Sequence, residues 1–262
     1  MEDKSIKKMR NNKNWIKAIA IALTIVGCSK NDSETSTDTT PTTAATAVPI
    51  TSVVQAKYKS TVTIATSGAY ITLTSKGTPN HVTPYWGEGN ALYEAAGPNG
   101  TNPGLIRERD NVMTIPTNPV PATVKEVTEL GAIGMALNGV PIYNDREGGN
   151  VPLDELVLQH FDRAGAHVGP SGYHYHVSGD FTTKDDANLV GFLRDGFPIY
   201  GRKCLAGNYP SDLDSNGGHT SITADFSTAI YHYHCSNTNY LNLGVYVLKA
   251  GSYNGTKGTY VQ

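Results

Sequence analysis

Short stretches in which apolar and polar residues alternate dominate the chain after residue 60, and this pattern is typical of β-strands. We predict strands at Ser60–Thr66, Tyr70–Thr74, Gly131–Leu137, Val140–Tyr143, Phe197–Tyr200 and Leu243–Leu248. Only Pro152–Phe161 and Asp185–Leu193 read as short helices, and turn pairs such as Asn-Gly and Gly-Pro separate the elements. The pattern predicts a mostly β domain, a sandwich or barrel-like arrangement with one or two short helices.

The first 27 residues follow a different pattern, that of a secretory signal. A Lys-rich beginning precedes the apolar run Ala18–Val26, which is too short to span a membrane. The run ends in Ile-Val-Gly-Cys, which resembles a lipobox, so we expect Cys28 to be lipidated and to become the new N-terminus. We therefore interpret residues 1–27 as a lipoprotein signal peptide.

Residues 28–55 are rich in Ser and Thr and have no hydrophobic period, so they predict a linker between the anchor and a folded domain over 56–262. Ser29, directly after the lipidated Cys, favours delivery to the outer membrane and exposure on the cell surface. We thus expect a protein held in the bacterial envelope by its lipid alone.

The net charge argues against one class of partner, and the cysteine content predicts a disulfide. The formal net charge of -2 leaves no basic surface of the kind that binds nucleic acid. Beyond Cys28 the chain has Cys204 and Cys235, and an oxidising envelope favours a disulfide between them. The alternative is that Cys235, which follows a His-x-His, binds a metal.

An internal repeat is the most informative feature of the sequence. Three motifs recur in the same order, displaced by between 52 and 58 residues. The pairs are Asn138–Tyr143 with Asp195–Tyr200, Asp162–His167 with Asp214–His219, and Tyr173–His176 with Tyr231–His234. We interpret them as a duplicated unit, about 131–180 and 189–240, whose copies are related by a pseudo-twofold axis.

The two Tyr-His-Tyr-His tetrads, each preceded by a Gly-x-Pro-Ile-Tyr strand and a Gly-x-His turn, resemble the YHYH-domain family of secreted and lipoprotein-anchored proteins. The resemblance extends from Thr61 to Tyr253. Lys76–His81 is similar to the family's Asn-Gly-x-Pro-x-His segment, with Lys for Asn. Family members often carry a Cys in the Asp-x-x-Gly-x-His turn, where this chain has Ala164, Ser215 and Asn216. The resemblance implies an architecture but no settled activity.

The tetrads suggest metal binding. Side chains alternate along a strand, so the two His of a tetrad share one face and the two Tyr share the other. Paired imidazoles with a further His or carboxylate suit Zn²⁺ or Cu²⁺. We predict a transition-metal ion bound by His174, His176, His232 and His234, with His167, His219, Asp162 and Asp214 as the next donors and His81 as an extra candidate. One shared site and two separate sites are both compatible with the repeat.

Other interpretations remain open. The His, Asp and Tyr side chains could form a structural hydrogen-bond network. Asp212, Asp214 and Asn216 are spaced as in the start of a calcium loop, although Thr223 stands where the bidentate Glu is expected, with Asp225 as a substitute.

Two further hypotheses concern function. Tyr85, Trp86 and Tyr93 are candidates for a carbohydrate-binding surface, and the domain could equally contact another envelope protein. A three-His site with an open position would support a metal-dependent hydrolase. No nucleophile motif accompanies it, so we favour a binding role over catalysis.

Overall fold

The computed structural model describes residues 47–176, 179–182 and 185–262. The predicted signal peptide, Cys28 and residues 28–46 of the predicted linker lie outside the described residues. Within the described part, no helix has the length and apolar character needed to cross a membrane.

The described residues are mostly β, as predicted. The helices are α1 Thr51–Lys57 and α2 Glu155–Leu158, with a 3-10 turn at Pro84–Trp86. The strands are β1 Val62–Ser67, β2 Tyr70–Ser75, β3 Asn111–Pro116, β4 Gly134–Ala136, β5 Pro141–Ile142, β6 Arg146–Glu147, β7 Val151–Pro152, β8 Ala166–Gly169, β9 Gly172–Tyr175, β10 Leu189–Leu193, β11 Pro198–Tyr200, β12 Gly218–Ser221, β13 Ile230–His234 and β14 Thr259–Val261.

Eight strands form one large sheet whose order reads β12-β13-β11-β10-β4-β5-β9-β8. The first repeat supplies β4, β5, β8 and β9, and the second supplies β10 to β13. Each half has the same pairings: antiparallel β4–β5 and β10–β11, parallel β5–β9 and β11–β13, and antiparallel β8–β9 and β12–β13. The two repeats are therefore the two halves of one sheet.

A pseudo-twofold axis passes through the centre of this sheet. Strands β4 and β10 pair antiparallel with Met135 opposite Phe192, and these residues are separated by the repeat distance. Equivalent turns, Asn138-Gly139 and Asp195-Gly196, follow the two strands, and both Gly residues have positive φ, 90° and 84°. Gly is favoured there because L side chains are strained at such angles.

A second sheet, in the order β1-β2-β3-β14, packs against the large one in a sandwich-like arrangement. Ile71, Met113 and Ile115 of the small sheet share one apolar core with Met135 and Phe192. Strands β6 and β7 form a separate pair. No closed barrel is formed by the part of the chain that the structure describes.

The structure differs from the sequence prediction in three segments. Asp185–Leu193 contains no helix, because Leu189–Leu193 is strand β10 and is buried at every position. A strand covered on both faces is apolar throughout and lacks alternation. Leu243–Leu248 forms only isolated bridges, including one between Tyr240 and Val245. Helix α1 lies partly in the predicted linker, since Ile50 and Val54 are buried in the core.

Candidate metal centres

Three imidazoles and one carboxylate of the first repeat meet in a group that we call the Glu147 cluster: Glu147, His167, His174 and His176. The three Nε2 atoms are 3.1 Å from one another. Glu147 Oε1 lies 3.2 Å from His167 Nε2 and 3.4 Å from His176 Nε2. Strand β9 contributes His174, and His176 follows directly after its end. The neighbouring strand β8 adds His167, which pairs directly with His174.

The second repeat forms the Cys204 cluster. The donor atoms of Cys204, His219 and His234 all lie within 4.8 Å of one another, and His232 joins them through His219. His219 Nε2 lies 3.1 Å from His232 Nε2 and 3.2 Å from His234 Nε2. Cys204 Sγ lies 3.8 Å from His219 Nε2. The register repeats too, because His219 pairs with His232 across β12 and β13. There are thus two separate clusters, one near each outer edge of the large sheet.

The far side of each ring shows which nitrogen is available. His174 Nδ1 donates to the carbonyl oxygen of Gly172 at 2.9 Å, and His176 Nδ1 donates to that of Asn144 at 2.5 Å. His167 Nδ1 instead accepts from Asn102 Nδ2 at 2.7 Å, which puts the ring proton of His167 on Nε2. A neutral imidazole carries a single N–H. The Nε2 atoms of His174 and His176 are therefore bare lone pairs that point at each other.

The second cluster is arranged in the same way. His232 Nδ1 donates to the Ile230 carbonyl at 2.9 Å, and His234 Nδ1 donates to that of Gly201 at 2.7 Å. His219 Nδ1 faces the Asp212 carboxylate at 2.8 Å. Such outer partners fix the tautomer of metal-binding histidines.

Burial favours the neutral form of the four tetrad histidines. It lowers the pKa of His174 well below its usual value, and neighbouring imidazoles lower it further. Burial likewise lowers the pKa of His176 and His234, and that of His232 to about 4. His174 and His176, whose Nδ1 protons are already donated to carbonyls, cannot hydrogen-bond each other through Nε2. His167 can donate from Nε2 to one neighbour, but a hydrogen-bond network alone leaves the contact between the His174 and His176 Nε2 atoms unexplained.

The fourth donors were not predicted from the sequence. Burial raises the pKa of Glu147, but His167 and His176 lower it by more, so the net shift is downward. Burial raises the pKa of the Cys204 thiol, and the Asp212 charge adds to this. Glu147 and Cys204 are separated by 57 residues, which is the displacement of the Asn138 and Asp195 motifs. That spacing was the signal that could have revealed them.

The structure does not bring Asp162 and Asp214 to the clusters. Asp162 accepts hydrogen bonds from the Tyr173 hydroxyl at 2.5 Å and from the backbone N–H of Ala164 and Ala166. Asp214 likewise accepts from the Tyr231 hydroxyl at 3.0 Å. Both carboxylates thus bind the tyrosine face of their tetrads, where they also close the preceding turn.

The predicted Cys204–Cys235 disulfide is not formed, since both residues are in the thiol form. Cys235 directly follows His234, so alternation directs it to the opposite face, where it lies in the apolar core. Cys204 lies on the histidine side instead. The thiol that joins a cluster is thus Cys204, and the alternative in which Cys235 was the ligand is not supported by this placement.

The other candidate residues have structural partners. His81 Nε2 lies 2.8 Å from the Tyr175 hydroxyl and outside both clusters. In the predicted calcium loop, Asp214 Oδ1 accepts from the backbone N–H of Asn216 at 2.8 Å, as in an Asx turn, and Asp212 faces His219. Tyr85, a candidate for glycan binding, is fully buried.

The fold and clusters define a β-rich, internally duplicated protein with two candidate metal centres. Residues 112–209 match the family model described as YHYH protein, which confirms the expected family resemblance. The matched segment includes the first tetrad and Cys204 and ends before the second tetrad. No curated protein and no solved structure matches the chain.

Proposed function

We propose that this chain is a lipid-anchored envelope protein that binds two transition-metal ions, one in each repeat. The observation that supports it is the convergence of Nε2 atoms in each cluster, among them the bare pairs of His174 with His176 and His232 with His234. Lone pairs 3.1 Å apart repel each other, and a bound cation would turn this repulsion into attraction. The ligand sets would be the Glu147 cluster and the Cys204 cluster.

The spacing of the donors suits a tetrahedral ion. Zinc binds imidazole nitrogen at about 2.0–2.1 Å, so adjacent ligands of a tetrahedron are about 3.3–3.4 Å apart. Five of the six donor pairs in the Glu147 cluster are 3.1 to 3.4 Å apart, and the sixth, Glu147 with His174, lies within 4.8 Å. With a Zn–S bond of about 2.3 Å, a sulfur and a nitrogen ligand are about 3.6 Å apart, close to the 3.8 Å between Cys204 and His219.

Burial and donor number favour binding over catalysis. The side chains of His167 and His176 are 3% and 0% exposed, and that of Glu147 is 27% exposed. Four protein donors fill a tetrahedron, as in structural zinc sites, whereas catalytic zinc keeps one position for water. We therefore propose metal binding that stabilises the domain, or holds the ion, without turnover.

The anchor is proposed from the sequence alone. Cys28 ends the apolar run of the signal and would carry the lipid, which places the domain outside the inner membrane and in the envelope. Incorporation of a labelled fatty acid by the wild type, and its loss in Cys28→Ala with the chain still expressed, would support this. Labelling that persists in Cys28→Ala would refute it.

Metal content tests the central proposal. The full chain, purified in detergent without a polyhistidine tag, should contain two equivalents of metal by mass spectrometry. His174→Ala and His232→Ala should each retain one equivalent, and the double variant none. His81→Ala is the matched control, because it removes a buried imidazole outside the clusters and should retain two. A wild type without metal, even after incubation with zinc, would contradict the proposal.

A further inference from the structure

The two clusters differ in one donor, and that donor occupies the same place in each repeat. Glu147 and Cys204 are separated by 57 residues, as are Asn144 and Gly201, whose carbonyls accept from the last His of each tetrad. The backbone before each donor therefore holds its cluster in an equivalent way. A carboxylate in one repeat is thus exchanged for a thiol in the other.

We propose that the two centres select different ions: Zn²⁺ at the Glu147 cluster and a thiophilic ion, Cu(I), at the Cys204 cluster. This inference rests on the proposed function, since it requires both clusters to bind metal. Soft thiolate ligands select Cu(I), whereas a carboxylate with imidazoles suits a borderline ion such as Zn²⁺. Two sites with three histidines each would not differ in which ion they prefer, so the fourth donor determines the choice of ion.

The surroundings of Cys204 fit a metal-binding thiol. Its Sγ is within 4.8 Å of the cluster nitrogens of His219 and His234. A bound ion would displace the thiol proton to solvent as the sulfur–metal bond forms. The other contact unique to this cluster, Asp212 on His219, is 70% exposed and so mainly orients the ring.

Cobalt is a direct probe of the fourth donor. A chain with Cys28→Ser, which leaves two thiols, is stripped of metal under anaerobic conditions and loaded with Co²⁺. We expect a thiolate-to-cobalt charge-transfer band in the near ultraviolet that is lost in Cys204→Ser and kept in Cys235→Ala. Two bound Co²⁺ ions without this band would overturn the selectivity and leave the proposed function intact. No bound Co²⁺ or Zn²⁺ at all would overturn both.

Competition with a coloured Cu(I) chelator measures the selectivity. Cys204→Ser should weaken the tighter Cu(I) site at least about tenfold while two Zn²⁺ still bind. Glu147→Cys should strengthen Cu(I) binding at the other cluster and so create a second tight Cu(I) site. This gain does not depend on how well Cys204→Ser folds. Two equal Cu(I) sites in the parent chain, or unchanged Cu(I) binding in both variants, would refute the inference.

Discussion

Removing metal is expected to destabilise the protein in two separable steps, because each cluster fastens one edge of the large sheet. In the first repeat, the edge strand β8 contributes His167, and its neighbour β9 contributes His174. Glu147 comes from the separate pair β6–β7. A metal ion would thus tie the hydrogen-bonded pair β8–β9 to the separate pair β6–β7. The second repeat has the same arrangement of its own edge strand.

The size of the effect follows from mass action. An ion that binds only the folded state at about 100 times its Kd adds about 2.7 kcal/mol per site. Two sites therefore add about 5 kcal/mol to the free energy of unfolding. A domain of about 200 residues gains about 2–4 °C in Tm per kcal/mol, which predicts a rise of about 10–20 °C.

Circular dichroism melting of the full chain, stripped of metal and then titrated with zinc, measures this rise. His174→Ala and His232→Ala should each show about half of the wild-type zinc shift. The control His81→Ala loses its contact with Tyr175, so its starting Tm is lower. Its zinc shift should nevertheless equal that of the wild type.

Two results would refute this reasoning. A wild type whose Tm is the same in zinc and in chelator would show that the clusters do not bind the ion. A His174→Ala variant that keeps the entire shift would show that zinc acts elsewhere on the protein.

Three further predictions follow from the described contacts. In the metal-free protein, burial lowers the pKa of His232 to about 4, so the unfolded chain binds a proton that the folded chain does not as pH falls from about 6.5 to 4. Stability should fall over that window by up to about 1.4 kcal/mol per pH unit for this residue, measured by urea unfolding at several pH values. Asp162→Asn should cost about 1–3 kcal/mol in the same assay, by weakening the bond from Tyr173, yet leave metal content unchanged; loss of metal would contradict its structural role. Alkylation of Cys204 should be slowed by bound metal, whereas Cys235 should react only on unfolding; equal rates with and without metal would argue against coordination.

The repeat allowed much of the site to be predicted. Ordered recurrence of three motifs indicated two equivalent units, and alternation along a strand placed His174 and His176 on one face. Neither argument needs tertiary information, because both rest on spacing within the chain. The tyrosines lie on the other face, as expected: Tyr173 binds Asp162 and Tyr175 accepts from Asn138.

The fourth donors required knowledge of the fold. Glu147 follows β5, which lies beside β9 only through parallel pairing at Ile142 and Tyr175. Parallel pairing joins strands distant in sequence, so periodicity within either strand does not reveal it. The sequence predicts Asp162 as a ligand because it shares the turn with His167. The turn itself uses that carboxylate, through the N–H groups of Ala164 and Ala166.

The tetrad depends on both of its faces. Slipping a strand by one residue exchanges its two faces, so the register must be held if the histidines are to meet. The tyrosines provide that restraint: the Tyr175 hydroxyl accepts from Asn138, and the Tyr233 hydroxyl donates to its counterpart Asp195 at 2.6 Å. Both anchors stand in the turn before the Pro-Ile-Tyr strand, beside which the tetrad pairs in parallel. The hydroxyls thus hold each tetrad in register with the neighbouring strand, β5 or β11, which precedes Glu147 or Cys204 in the chain. The tyrosines therefore align the histidines with their fourth donor, which accounts for an alternating Tyr-His pattern rather than histidines alone.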